Sequence, residues 1–383
     1  MDSTNSFRDL FLLDPDVVFL NHGSFGATPR PVFEVYQAWQ RQIERQPVKF
    51  IGRELTGYLQ TARHALGTYL HVHGDDLVYI PNATFGVNIV ARALSLTADD
   101  EVLTTDHEYG ACDRVWRFVS QKKGFRYVRQ PIPLPATSPE EIVEQLWQGV
   151  TPRTKIIYLS HITSATALRL PVEAICHRAR EAGILTLVDG AHAPGQIPLD
   201  LTNMGADFYT GNCHKWLSAP KGSAFLYARR EVQPLLEPLV VSWGWESERP
   251  SGSNFLDHLE YLGTDDLSSY LSVPAAIQFQ ADHNWSQVQQ QCHELAKSTL
   301  AQLCQLTGLN PLYPADNRFF QQLVIAPLPP TDLDVLKRRL YDEYRVEVPL
   351  ISWNGHQFIR VSVQAYNTPA DIEVLLTALD ALL

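Results

Sequence analysis

The sequence predicts an α/β protein: a mainly parallel sheet with helices on its faces, then a smaller α+β unit at the carboxyl end. Three observations carry this expectation. Between residues 77 and 230, short apolar runs alternate with helical stretches, the pattern of successive βαβ units. Polar loops at 82–84, 107–109, 161–164, 189–192 and 212–215 follow strands, and ligands in such sheets sit beyond the carboxyl ends of the strands. After Glu231 the alternation breaks, and the pattern that resumes suits a separate unit of roughly a hundred residues.

In chain order, residues 1–16 read as a leading arm. A short apolar run at 17–20 stops at the polar loop Asn21-His22-Gly23-Ser24-Phe25-Gly26. Pro29 and Pro31 open a helix over 32–45, and a second helix is expected near 55–70. Strands are expected at 77–80, 101–105, 125–129, 155–160, 184–188 and 224–227, with helices between most of them. Residues 240–253, rich in Trp, Gly, Ser and charge, read as a loop over something. A long helical stretch over 273–306 precedes strands at 321–325, 346–349 and 358–363 and helices at 332–344 and 368–383. The expected division is an arm (1–16), a large domain (17–270) and a small α+β domain (271–383).

Bulk properties narrow the class. The chain has 383 residues, 45% hydrophobic and 19% charged, enough for a sizeable core. A net charge of -11 disfavours nucleic acid and anionic membrane, which both require a basic face. No signal peptide or membrane span is expected. Five scattered cysteines read as reduced thiols in a cytoplasm. No metal site is expected.

The chemistry concentrates around one stretch. An apolar run at 184–188 ends in Asp189, and Lys215 follows inside the polar knot Asn212-Cys213-His214-Lys215. An acid at a strand end and a lysine on a loop between strands can meet at one small molecule. Pyridoxal phosphate needs that pair: the lysine for a Schiff base, the acid for the pyridinium nitrogen. The loop at 82–84 opens a helix, so it is either an anion site or simply a helix capped by Asn82 or Thr84.

These residues resemble a known family. Asp189-Gly190-Ala191-His192, Asn212-Cys213-His214-Lys215, Gly263-Thr264 and Arg360-Val361-Ser362 together resemble the class V aminotransferases among fold-type I pyridoxal phosphate enzymes. FLNHGSFGATP, HEYGA and SHITSATA resemble the isopenicillin N epimerase-like branch, which also holds C–S lyases acting on cysteine-derived sulfoxides. The resemblance spans about residues 17 to 370 and implies a seven-stranded, mainly parallel sheet.

The resemblance also implies roles. Lys215 would carry the cofactor and then act as base at the substrate Cα. Asp189 would hold the pyridine nitrogen protonated, and His192 would meet the phenolic oxygen. Ala83 and Thr84 would cradle the phosphate, with Asn212 and His214 adding contacts. Thr264 would reach the phosphate of the partner subunit, which implies a homodimer. Tyr109 would stack on the ring, where desulfurases carry His. Ser164 would lie beside the cofactor. Arg360 would clamp the substrate α-carboxylate with its planar fork. Asn21, His22 and Arg53 lie in segments that approach the site in relatives, without assigned roles.

Residues 345–360 contain no cysteine, which argues against a persulfide-forming desulfurase. Epimerisation, β-elimination and transamination all start from proton loss at Cα and stay open. An epimerase needs a second proton donor; Tyr109, His22 and His107 are the candidates. A non-catalytic scaffold or sensor is the contrasting class, and the intact Lys, Asp and Arg set argues against it.

Overall fold

A computed structural model describes residues 7–383, so the first six residues of the expected arm lie outside the described residues. Strand β1 (Val18–Phe19) follows a 3-10 turn at Phe7–Leu10. The large sheet then takes β2 (Leu77–Ile80), β3 (Glu101–Thr105), β4 (Arg126–Gln130), β5 (Thr154–Ser160), β6 (Leu185–Asp189), β7 (Phe208–Asn212) and β8 (Ala224–Ala228). Their order is β2-β8-β7-β6-β5-β3-β4. The pairs from β7 to β4 are parallel, while β8 runs against both β7 and β2. This is the expected seven-stranded, mainly parallel sheet.

Burial explains the strand sequences. Every residue of β2, β3, β7 and β8 is buried, which requires helices on both faces and near-continuous apolar runs. The outer strand β4 carries Arg126 and Arg129 on its exposed positions, and charge on an edge discourages pairing with another chain.

The helix Ala83–Ala93 after β2 shows how the sheet positions a site. Asn82 caps it, its Oδ1 accepting the Phe85 N–H at 2.9 Å. Gly86 lets the helix press on β7: a Cβ there would lie 2.4 Å from Thr210 Oγ1. The start of this helix is thereby fixed over the carboxyl ends of the strands.

A second sheet holds β9 (Leu323–Leu328), β11 (Leu350–Trp353) and β12 (His356–Ser362), antiparallel in the order β11-β12-β9. Strand β10 (Val346–Glu347) pairs instead with β1, in parallel, with Val18 opposite Val346 and Phe19 opposite Glu347. The start of the chain is therefore tied to its carboxyl-terminal part. Asn21 continues the link as a parallel bridge to Ser362.

Three local features differ from expectation. The stretch over 273–306 is two helices, Val273–Asp282 and Trp285–Thr307, separated at Asn284 with φ +46°. Asn tolerates that left-handed conformation, so the helix can turn without a glycine. Strand β7 reaches Asn212, so the polar knot begins inside a strand. Hydrophobic pattern alone hides this, because Thr210, Gly211 and Asn212 are polar or small yet fully in the ladder. Strand β11 was also not expected. Among the described residues, no helix is long and apolar enough to cross a membrane.

Candidate active site

Lys215 follows β7 on a turn that packs under the Asn21–Gly26 loop. Gly26 sits at φ +69° with its Cα so close to this turn that a Cβ would lie 1.9 Å from the His214 carbonyl oxygen. His22 Nε2 donates to the Lys215 carbonyl at 2.9 Å, and its Nδ1 pairs with the Tyr366 hydroxyl at 3.0 Å. The backbone of Lys215 is thus clamped. Burial pulls the Lys215 amine down to about 8, with the Arg360 charge adding to the effect.

His192 faces that amine, its Nε2 lying 3.3 Å from Lys215 Nζ. Trp216 Nε1, which can only donate, points at His192 Nδ1 at 3.3 Å. Burial, then the Lys215 and Arg360 charges, hold the ring well below the ordinary histidine range. The neutral ring therefore carries its proton on Nε2, the atom beside Lys215.

Asp189 ends β6 and is buried. Oδ1 accepts the Ala191 N–H at 2.9 Å; the Cys112 thiol at 3.5 Å and the Tyr158 hydroxyl at 3.4 Å lie against Oδ2. Burial raises its carboxyl above the ordinary range, opposed by the Ala191 amide and the Lys215 charge. Among the described residues it has no ion-pair partner within 4.0 Å. A buried carboxylate without a cation is costly. A protonated pyridine nitrogen supplies the missing charge, and this is where the site fits the expected cofactor.

The phosphate end fits less simply. The Ala83 N–H, expected to meet the phosphate, donates to Asn212 Oδ1 at 2.9 Å. One amide proton serves one strong acceptor, so Ala83 acts here by orienting Asn212, and the free donors are the Thr84 N–H and hydroxyl and the Asn212 Nδ2 group. His214 Nδ1 lies 2.9 Å from the Ser223 carbonyl and must donate to it. Burial brings His214 down to about 4. Its neutral ring turns a lone pair outward at Nε2, so it would meet a phosphate oxygen only as the imidazolium.

Arg360, on β12, is 5% exposed and has no carboxylate partner among the described residues. Nη1 donates to the Ser164 carbonyl at 2.7 Å and its hydroxyl at 3.0 Å; Nη2 donates to Ser24 Oγ at 3.0 Å. Nε has no partner. Of five N–H groups, the two left over are on Nε and Nη2, which share one edge of the guanidinium. Burial brings Arg360 down to about 10, partly offset by the nearby Tyr109 hydroxyl.

Tyr109 precedes the helix Gly110–Lys123 and is 46% exposed. Lys215, His192, Asp189, Arg360, Ser164 and Tyr109 are thus linked by direct bonds or by charge. Thr264 is not drawn in: it is exposed, in a turn after the helix Asn254–Leu259, and makes no hydrogen bond to the site. Arg53 is also exposed. The candidate proton donor His107 is enclosed, Nδ1 at 2.8 Å from Thr166 Oγ1 and Nε2 at 2.8 Å from the Ile132 carbonyl. His22 is held at both nitrogens as well, and burial takes it down to about 3.

Sequence reasoning missed several neighbours. Glu108 accepts from Thr105 Oγ1 at 2.7 Å and Ser160 Oγ at 2.6 Å, and Ser160 is the register partner of Asp189. Burial, with the Asp189 charge adding, pushes Glu108 up to about 8. Cys112 and Trp216 were also unassigned. The signal was present for both: Cys112 lies three residues after Tyr109 at a helix start, and Trp216 adjoins the lysine.

The chain matches the aminotransferase class-V family over residues 27–375. It is 38% identical to an isopenicillin N epimerase of Amycolatopsis lactamdurans, over 98% of this chain and 97% of that protein. It is 26% identical to a probable chloroplastic L-cysteine desulfhydrase of Arabidopsis thaliana, over 96% and 83%. Its fold is that of a cysteine desulfurase from Thermococcus onnurineus NA1, with a TM-score of 0.83 at 19% identity over 100% and 99% of the two chains. The protein belongs to the class-V aminotransferase family of pyridoxal phosphate enzymes.

Proposed function

We propose that the protein epimerises an α-amino acid at Cα, with Lys215 and Tyr109 handling the proton from opposite sides. The observation that carries the substrate class is Arg360: a buried guanidinium with Nε unpartnered and no carboxylate partner among the described residues asks for a carboxylate.

Lys215, Asp189 and Thr84 would hold pyridoxal phosphate, which would supply acidification of the substrate Cα–H bond and a sink for its electrons. The chain does the rest. Asp189, oriented by the Ala191 amide, would hold the pyridine nitrogen protonated. His192 offers its Nε2 proton to the phenolic oxygen. The amine of Lys215, lowered to about 8, can hold the Cα proton near neutral pH. Tyr109 is the remaining candidate for the second proton, since His22 and His107 are closed off at both nitrogens.

The desulfhydrase relative supports β-elimination as a second reading, because that reaction needs Lys215 and a leaving group but no second donor. A persulfide-forming desulfurase is disfavoured. No cysteine lies in 345–360, and burial raises the Cys112 and Cys213 thiols, which makes poor nucleophiles. The proposal includes a homodimer in which Thr264 serves the other subunit, a division into domains near residue 270, and a cytoplasmic location suited to five free thiols.

Incubation of the loaded enzyme with a panel of L-amino acids in deuterated water tests the reaction. Cα deuterium together with D-enantiomer is expected; pyruvate without D-product would establish the lyase instead.

A further inference from the structure

The substrate-binding arginine is oriented by neutral groups, and one of these leads to an acid in another strand. Ser24 Oγ accepts from Arg360 Nη2 at 3.0 Å and donates in turn to Asn21 Oδ1. Asn21 Nδ2 donates to Glu347 Oε1 at 2.9 Å. Glu347 belongs to β10, the partner of β1. The loop between is nailed down at other points: Leu20 N–H to the Glu347 carbonyl at 3.0 Å, Ser362 N–H to the Leu20 carbonyl at 2.9 Å, and Gly23 N–H to Ser362 Oγ at 3.1 Å. Ser362 lies on β12, two residues from Arg360.

We propose that Asn21, Ser24 and Glu347 form a bridge that positions Arg360 for the substrate carboxylate without neutralising it. This rests on the reading of Arg360 given above. A carboxylate paired directly with Arg360 would compete with the substrate and would have to be displaced. A hydroxyl and an amide placed between Glu347 and the guanidinium pass on orientation but leave the charge unpaired. The bridge enters at Nη2, and Ser164 holds both protons of Nη1. What remains unpartnered is Nε and one N–H of Nη2, the two donors a carboxylate takes in a bidentate pair. Asn21 and Ser24 are therefore positioning residues; they do not meet the reacting atoms.

The test compares L-alanine with L-alaninamide, which lacks the carboxylate, by equilibrium titration of the cofactor absorption in the loaded protein. The wild type is expected to favour alanine strongly. Ser24→Ala and Asn21→Leu should each weaken alanine binding about fivefold to tenfold and leave alaninamide unchanged, as expected for a lost hydrogen bond to a charged group. Ser24→Thr should retain most of the preference. Asn21→Leu and Glu347→Ala break the bridge away from the substrate, so the test stands if Ser24→Ala does not fold. A full preference in these variants, with the preference lost in Arg360→Lys, overturns the bridge and leaves the role of Arg360 standing. A preference that survives Arg360→Lys removes the carboxylate reading itself, and the bridge falls with it.

Discussion

At the scale of single residues, the site is a set of charges whose environments are deliberately unequal. Asp189 ends β6 and Glu108 follows β3, on either side of β5, and both are raised by burial. Burial, opposed by the Ser160 and Thr105 hydroxyls and helped by the Asp189 charge, pushes Glu108 up to about 8; Asp189 is raised by burial too, opposed by the Ala191 amide and the Lys215 charge. Lys215 follows the same logic in the opposite sense. Its folded pKa lies below the ordinary value of 10.5, so the neutral amine gains population as pH rises through about 8. Capture of pyridoxal phosphate by the cofactor-free protein should therefore speed up with pH, half-maximal near 8. A midpoint near 10 in stopped-flow absorbance would mean that the amine is not desolvated. Lys215, Asp189 and Arg360 could be picked out from their motifs. Glu108 and Ser24 could not, because the partners that tie them to the site, Ser160 and Arg360, lie far away in sequence on other strands.

At the scale of elements, the helix Ala83–Ala93 is the piece on which cofactor binding turns. Its start must lie over the sheet, and Gly86 is what allows it. The substitution Gly86→Ala would drive a methyl group into Thr210 and Ile80, atoms that a Cβ would meet at 2.4 and 2.9 Å. Overpacking of this kind costs about 1–3 kcal/mol. The variant should unfold at lower urea, and, because the helix is displaced along with Thr84, bind cofactor more weakly as well. Loss of stability with unchanged cofactor affinity would show that the helix start is held independently of Gly86. Elements of this sort were legible where the pattern was strong, as in β2, β3 and the helix after each. They were illegible where local chemistry overrode it. Strand β7 ends in Asn212, which reads as the start of the loop at 212–215, yet it pairs with Ala224 of β8. The break at Asn284 depends on one left-handed residue that hydrophobic periodicity does not register.

At the scale of the whole molecule, the exposed surface bears on the proposed dimer. Phe25, Val241 and Trp243 are 73%, 67% and 83% exposed, and Phe25 adjoins Ser24 beside the site. Large apolar side chains left in water suit a surface that a second copy covers. Sedimentation should give twice the 43.2 kDa chain mass at micromolar concentration, and the Tm should rise with protein concentration. A monomer with full cofactor affinity would remove Thr264 from the site.

The pairing of β1 with β10 has a consequence in time. Synthesis delivers Asn21 326 residues ahead of Glu347 and His22 344 residues ahead of Tyr366. Until the strands around Glu347 and Ser362 are made, the segment that clamps Lys215 lacks its backbone partners on that side. The large sheet can form early from local βαβ contacts, but long-range pairing of this kind is slow to close. A nascent chain would thus carry Lys215 on a finished sheet and still lack part of the pocket wall around it until β10 and β12 are made.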